Sequence, residues 1–131
     1  MQWLEYVFKF FEKIFKTNAF KAKYKTKNIK SLNSIIKSKK WQIIDIRNNV
    51  SFNENHLKGS INIPILIFNL KYFKVLDKKN KILIIDEDSR SHLSIYKSLR
   101  IKGFKSYIFY DGYKNIKDNP KFDKLTKVVI Y

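Results

Sequence analysis

The sequence contains no cysteine. That single absence excludes disulfides, thiolate zinc sites and cysteine nucleophiles together, and it fits a reducing compartment. Glycine and proline are scarce, three and two in 131 residues, which argues against collagen-like or linker-dominated designs. No apolar run reaches the roughly 18 residues that a transmembrane helix needs. The N-terminus is apolar but is interrupted by Glu5, Lys9, Glu12 and Lys13, so it does not read as a secretory signal. Arginine is also rare: of 28 basic residues only Arg47, Arg90 and Arg100 are arginine.

What is present is lysine, isoleucine, asparagine and aromatic side chains. The formal net charge is +17, and 44% of residues are hydrophobic. The length suits one packed core with an appendage. A charge of this size points to an anionic partner. The basicity is spread along the chain, however, with eight lysines and two glutamates in residues 1–30 and the rest of the excess beyond them. Dispersed lysine without arginine does not favour specific phosphate recognition, so specific nucleic-acid binding is not expected and only a non-specific form remains as an alternative.

Residues 1–16 read as an amphipathic helix. Trp3, Leu4, Val7, Phe8, Phe11 and Phe15 form its apolar face, and Glu5, Lys9, Glu12, Lys13 and Lys16 take the other side. Such a helix would be about 22 Å long, too short to span the roughly 30 Å hydrocarbon core. It suits either an anionic membrane surface, with the lysines that follow assisting, or packing on the domain or on another subunit. Residues 1–27 are therefore set apart as helix and basic linker, with a domain over 28–131.

Within that domain the pattern alternates. A short strand is expected near Ile29, then a helix capped by Ser31 and running to about Lys39. A buried strand follows over 41–46, a short helix around Val50–Asn55, and a turn with a short extended stretch over 56–64. Leu66–Phe73 reads as helical. Lys81–Ile85 is the clearest buried strand. Arg90–Lys102 reads as an amphipathic helix with Leu93, Tyr96 and Leu99 inward and Gly103 ending it. Ser106–Tyr110 is a further strand, Asp111-Gly112 a turn, and Lys127–Tyr131 a candidate edge strand. This is the alternation of an α/β fold, with a mainly parallel sheet and helices on both faces. Ligands in such folds sit beyond the carboxyl ends of the strands, here at Asp45-Ile46-Arg47 and at the stretch Asp86, Glu87, Asp88, Ser89, Arg90.

The segments WQIIDIR (41–47), Phe52 and HLKGSINIP (56–64) resemble the first half of a rhodanese-like domain, the sulfurtransferase homology family. The strand at 81–85, the loop ending in Arg90-Ser91, the helix to Gly103-Phe104 and the turn at Asp111-Gly112-Tyr113 resemble the second half. The resemblance covers about residues 28–116 and implies a three-layer fold, with Asp45, Arg47, His56, Gly59, Asn62 and Pro64 as structural motif residues. In active members a cysteine opens the loop after the central strand and carries a persulfide held by backbone N–H groups. Here Asp86 takes that place, and Asp86 to Arg90 is one residue shorter than the family loop and lacks glycine. Ser51 replaces the acid that usually precedes the aromatic residue. A carboxylate oxygen cannot carry a sulfane sulfur, and three adjacent acids repel an anionic donor.

The resemblance thus implies a pseudoenzyme: no catalytic residue, no cofactor and no metal, acting as a binding or regulatory module with an unidentified protein partner. A cytoplasmic location fits, peripheral on the inner face of a membrane. The alternative from the enzyme class is phosphate chemistry centred on Asp86 with Mg²⁺. KILIID (81–86) also looks like the opening strand of a response-regulator receiver, but too little chain follows for that fold. His92, without a second histidine at metal spacing, reads as a surface residue of its helix.

Overall fold

The computed structural model describes residues 3–11, 23–87, 93–116 and 126–128. Residues 3–11 form helix α1. Then follow β1 (Thr26–Lys27), α2 (Ile29–Lys37), β2 (Trp41–Asp45), α3 (Asn49–Glu54), β3 (Asn55–Leu57) and β4 (Ser60–Asn62). A 3₁₀ turn (Ile65–Ile67) leads into α4 (Phe68–Val75), followed by β5 (Lys81–Ile85), α5 (Leu93–Ile101), β6 (Lys105–Phe109), a second 3₁₀ turn (Tyr113–Asn115) and β7 (Thr126–Val128).

Five strands make one sheet in the order β1-β6-β5-β2-β4, with every pairing parallel. β5 is central, as its unbroken apolar run requires: Ile82, Leu83, Ile84 and Ile85 are all fully buried, so both faces of the strand are covered. The two-residue period of a strand then divides the core. Ile44, Ile82, Ile84 and Ile108 face one way and pack with Phe68 and Leu76 from around α4 and with Ile95, Tyr96 and Leu99 of α5. Ile43, Leu83, Ile85 and Phe109 face the other way, against Leu32 and Ile35 of α2 and Tyr113 and Ile116. The chain is thus a three-layer α/β structure with helices on both faces of a parallel sheet.

Several boundaries differ from the sequence expectation, for physical reasons. The strand expected near Ile29 lies at Thr26–Lys27, and α2 starts at Ile29, so Ser31 sits inside the helix and not at its cap. The cap comes from far away: the Asp111 carboxylate accepts the Ile29 N–H at 2.9 Å, satisfying one of the helix's orphan donors. No local pattern could show that bond. The same helix ends at Lys37, short of Lys39. β7 pairs antiparallel with β3 in a separate two-stranded sheet, not on the edge of the main sheet. Gly103 does end α5. It adopts φ +91°, its N–H reaches Arg100 O (3.1 Å), and the Phe104 N–H reaches Leu99 O (2.9 Å), the paired bonds of a Schellman stop.

Candidate functional site

The carboxyl ends of β2 and β5 lie side by side, Asp45 opposite Ile85 in the parallel register. Two chain segments leave the sheet there and diverge, and the gap between them is an open cleft of about 620 Å³. Arg47, Asn48, Ser51, Glu54 and Asn55 line it from the β2 side, Pro64, Ile65 and Leu66 from the segment entering α4, and Asp86 and Glu87 from the end of β5.

Its floor is built on a buried ion pair. Asp45 is fully buried and Arg47 is 6% exposed. The Arg47 Nε lies 3.0 Å from each Asp45 oxygen, Nη2 donates to Oδ2 at 2.8 Å, and the Arg47 backbone N–H donates to Oδ1 at 3.0 Å. Nη2 also donates to the Asn55 carbonyl at 2.7 Å, which ties the end of β2 to β3. The guanidinium lies 3.8 Å from the centroid of the Tyr113 ring, and Glu87 approaches Nη1 to 3.6 Å. Burial pushes the Asp45 carboxyl above its ordinary range, and the bonds from Arg47 only partly offset this. Burial works against the Arg47 charge too, but the Asp45 carboxylate outweighs it and the guanidinium is held more firmly protonated than usual. Burial pushes the Tyr113 phenol up to about 12, and its hydroxyl, fully buried, has no hydrogen-bond partner among the described residues.

The other motif residues secure the β2–β4 corner. Asn62 Nδ2 donates to both Asp45 O and Arg47 O at 2.9 Å. His56 Nδ1 donates to the Phe52 carbonyl at 2.8 Å, and the two rings stack at 3.8 Å. Gly59 turns the chain between β3 and β4 at φ +80°, a left-handed conformation suited to glycine. Pro64 is trans and opens the 3₁₀ turn at the cleft wall.

At the β5 end, Asp86 Oδ1 accepts the Glu87 N–H at 2.7 Å. The Asp86 and Glu87 carbonyls accept the N–H groups of Tyr113 (2.8 Å) and Lys114 (3.3 Å). The second 3₁₀ turn thus holds the start of the loop. Asp88, Ser89, Arg90 and His92 lie outside the described residues. Among the described residues no group of three or more histidine, aspartate and glutamate side chains converges on a point that could hold a metal.

The structure therefore brings Arg47, Pro64, Asp86 and Glu87 to one cleft and places Asp45, His56, Gly59 and Asn62 behind or beside it. Tyr113 was named in the sequence only as part of a turn. Its contact with Arg47 joins residues on different strand ends, and no local spacing marks it. Glu54 and Leu66 reach the cleft without any sequence signal. The apolar residues of α1 lie apart from all of this and are open to solvent, with Trp3 at 73% and Phe8 at 76% exposure; Leu4 and Phe11 are exposed too, and Val7 is half-buried. Phe15 lies outside the described residues. No helix of the described residues is long and apolar enough to cross a membrane.

The fold is shared with solved structures. A rhodanese-related protein from Thermoplasma volcanium superposes with a TM-score of 0.63 at 23% identity, over 70% of this chain and 89% of that one. A rhodanese-like domain protein from Staphylococcus aureus gives 0.64 at 18% identity, over 73% and 94%. The reduced CoADR-RHD of Bacillus anthracis gives 0.65 at 21% identity, over 75% of this chain but only 17% of that larger one. No curated protein sequence matches. The model of the rhodanese-like domain family matches residues 28–131, most of the sequence, and the chain belongs to that family, as a member without a cysteine.

Proposed function

We propose that the chain is a non-catalytic rhodanese-like module that binds in its cleft and is held at an anionic membrane surface by α1. The observation that carries the first half is Asp86 at the point where β5 enters the loop, in a sequence without cysteine. No thiolate is available to accept sulfur. The cleft nonetheless keeps the volume of a small-ligand site, so an occupant would be held and released unchanged. The membrane half is supported by the exposure of Trp3, Leu4, Phe8 and Phe11 together with the lysines that follow the helix. The domain division at residue 27/28 and a peripheral cytoplasmic location belong to the same reading.

Two measurements test it. Purified protein should transfer no sulfur from thiosulfate to cyanide above a protein-free control, and Asp86→Cys alone should not restore transfer, because Glu87 and Asp88 would raise a thiol pKa. Turnover by the wild type overturns the non-catalytic reading, and robust turnover by Asp86→Cys shows that the loop still supports a persulfide despite Glu87 and Asp88. In vesicle flotation, full-length protein should bind phosphatidylglycerol-containing vesicles, and Trp3→Ser/Phe8→Ser should lose that binding; equal binding by the variant overturns the role of α1.

A further inference from the structure

Helix α4 is apolar on two sides. Its inner side is accounted for: Phe68 is buried, and Tyr72 and Val75 pack on the core. Leu66 stands in the 3₁₀ turn that leads into the helix, and the outer side of the helix itself carries Leu70 and Phe73 at i and i+3, neighbours on one face. Leu66, Leu70 and Phe73 are 95%, 69% and 60% exposed. Ile61 and Ile65 lie exposed on the segments leading into it. Exposed apolar side chains grouped in this way make a candidate contact face.

Its borders are cationic. Lys74 Nζ sits 5.8 Å from the Phe73 ring centroid. Beyond the stripe is a hollow of about 410 Å³, lined by Tyr72, Phe73, Leu76, Phe104 and two lysines, Lys78 and Lys102. Their ammonium groups lie over aromatic rings, Lys78 at 5.6 Å from Phe104 and Lys102 at 5.0 Å from Tyr72. The ion pairs among the described residues belong to Arg47 and leave these lysines without a carboxylate. The one acid in the segment, Asp77, turns its carboxylate onto the Lys79 N–H at 2.9 Å.

We propose that this face of α4 is a second membrane-contacting surface, with Leu66, Leu70 and Phe73 entering the interface of an anionic bilayer and Lys74, Lys78 and Lys102 meeting lipid phosphate. The inference rests on the membrane-surface reading above and extends it from the N-terminal helix to the domain itself. Charge selects the occupant. A second copy meeting the stripe through the same face would bring the lysine border against itself, and like charges repel. A negatively charged interface takes the apolar stripe and the lysines together. Leu66 and its neighbour Ile65, in the 3₁₀ turn before α4, also form part of the cleft wall, so docking through α4 would turn the mouth of the cleft toward the lipid surface.

The test uses the full chain with vesicles of phosphatidylcholine alone and of phosphatidylcholine mixed with phosphatidylglycerol. Three variants are compared: Leu70→Ser/Phe73→Ser, Lys78→Ser/Lys102→Ser, and Trp3→Ser/Phe8→Ser. Leu70→Ser/Phe73→Ser should keep the parental melting temperature, since both side chains are exposed. Lys78→Ser/Lys102→Ser gives up the bond from half-buried Lys102 to Ser98 Oγ (2.6 Å) and should melt only slightly lower. Both should bind the anionic vesicles at least about tenfold more weakly. Binding should be weak to phosphatidylcholine alone. Wild-type binding by both α4 variants, with loss only in the Trp3/Phe8 variant, overturns the α4 proposal and leaves the α1 reading standing. Loss in the α4 variants alone supports α4 and removes α1 as the anchor. Equal binding to both vesicle types overturns the role of the lysines, and a concentration-dependent dimer that Leu70→Ser/Phe73→Ser abolishes without changing vesicle binding overturns the membrane as the occupant of this face. No vesicle binding by the wild type ends both readings.

Discussion

Arg47 holds a buried charge that three different groups answer: the Asp45 carboxylate in its plane, the Asn55 carbonyl at its tip and the Tyr113 ring against its face. Replacing it by methionine leaves Asp45 buried with only backbone donors, and Arg47→Met should cost about 3–5 kcal/mol in urea unfolding. Adding Asp45→Val should recover a large part of that loss, since neither member is then an unpaired charge; a double variant no better than the single would mean that packing and not charge sets the cost. Tyr113 makes a separate prediction. Its folded pKa is raised to about 12 from 10.0, so its contribution is fully present below pH 10 and lost as pH rises toward 12. The stability difference between wild type and Tyr113→Phe should therefore be flat up to pH 10 and move against the wild type above it. At neutral pH the phenylalanine variant should be no less stable, because it removes a buried hydroxyl without a partner among the described residues. A flat difference through pH 12 would show that the phenol is not buried in solution. Asp45 and Arg47 were legible in the sequence as a strand-end pair. Tyr113, 66 residues further along, was not, because a stacking partner is chosen by the fold and leaves no spacing to read.

Among the elements, α4 shows why patterning can mislead. A helix apolar on both sides lacks a clean 3.6-residue stripe, so its location can be read from the pattern but not which side is inward. The structure separates two phenylalanines five residues apart: Phe68 is 1% and Phe73 60% exposed. Phe68→Ala should destabilise by about 3–5 kcal/mol, whereas Phe73→Ala should stay within about 0.5 kcal/mol. Thermal unfolding checks both, and similar losses would mean that the outer side is covered. β5 was read from the sequence with its exact limits because four consecutive β-favouring apolar residues admit little else. The start of α2 was missed because Asp111 caps it across 82 residues. Local signals locate elements, and tertiary hydrogen bonds move their ends.

For the whole molecule, the sheet order has a consequence for synthesis. β2 pairs with β5, and every partner on β5 lies forty residues further along the chain; β1 waits longer still, for β6. At roughly 5–20 residues per second, about 2–8 s separate the two strands as they leave the ribosome. During that interval Ile43, Ile44 and Ile46, all buried in the finished fold, have only the three-residue β4 to pair with. Nascent chains stalled before Lys81 has emerged should be cleaved readily by protease and bound by holdase chaperones. Chains stalled after Phe109 has emerged should resist both. Protection appearing before Lys81 emerges would mean that β2, α3 and β4 close on themselves. The strand that gives the sheet its centre would otherwise also set the moment at which the chain stops being a client of the folding machinery and becomes a protein.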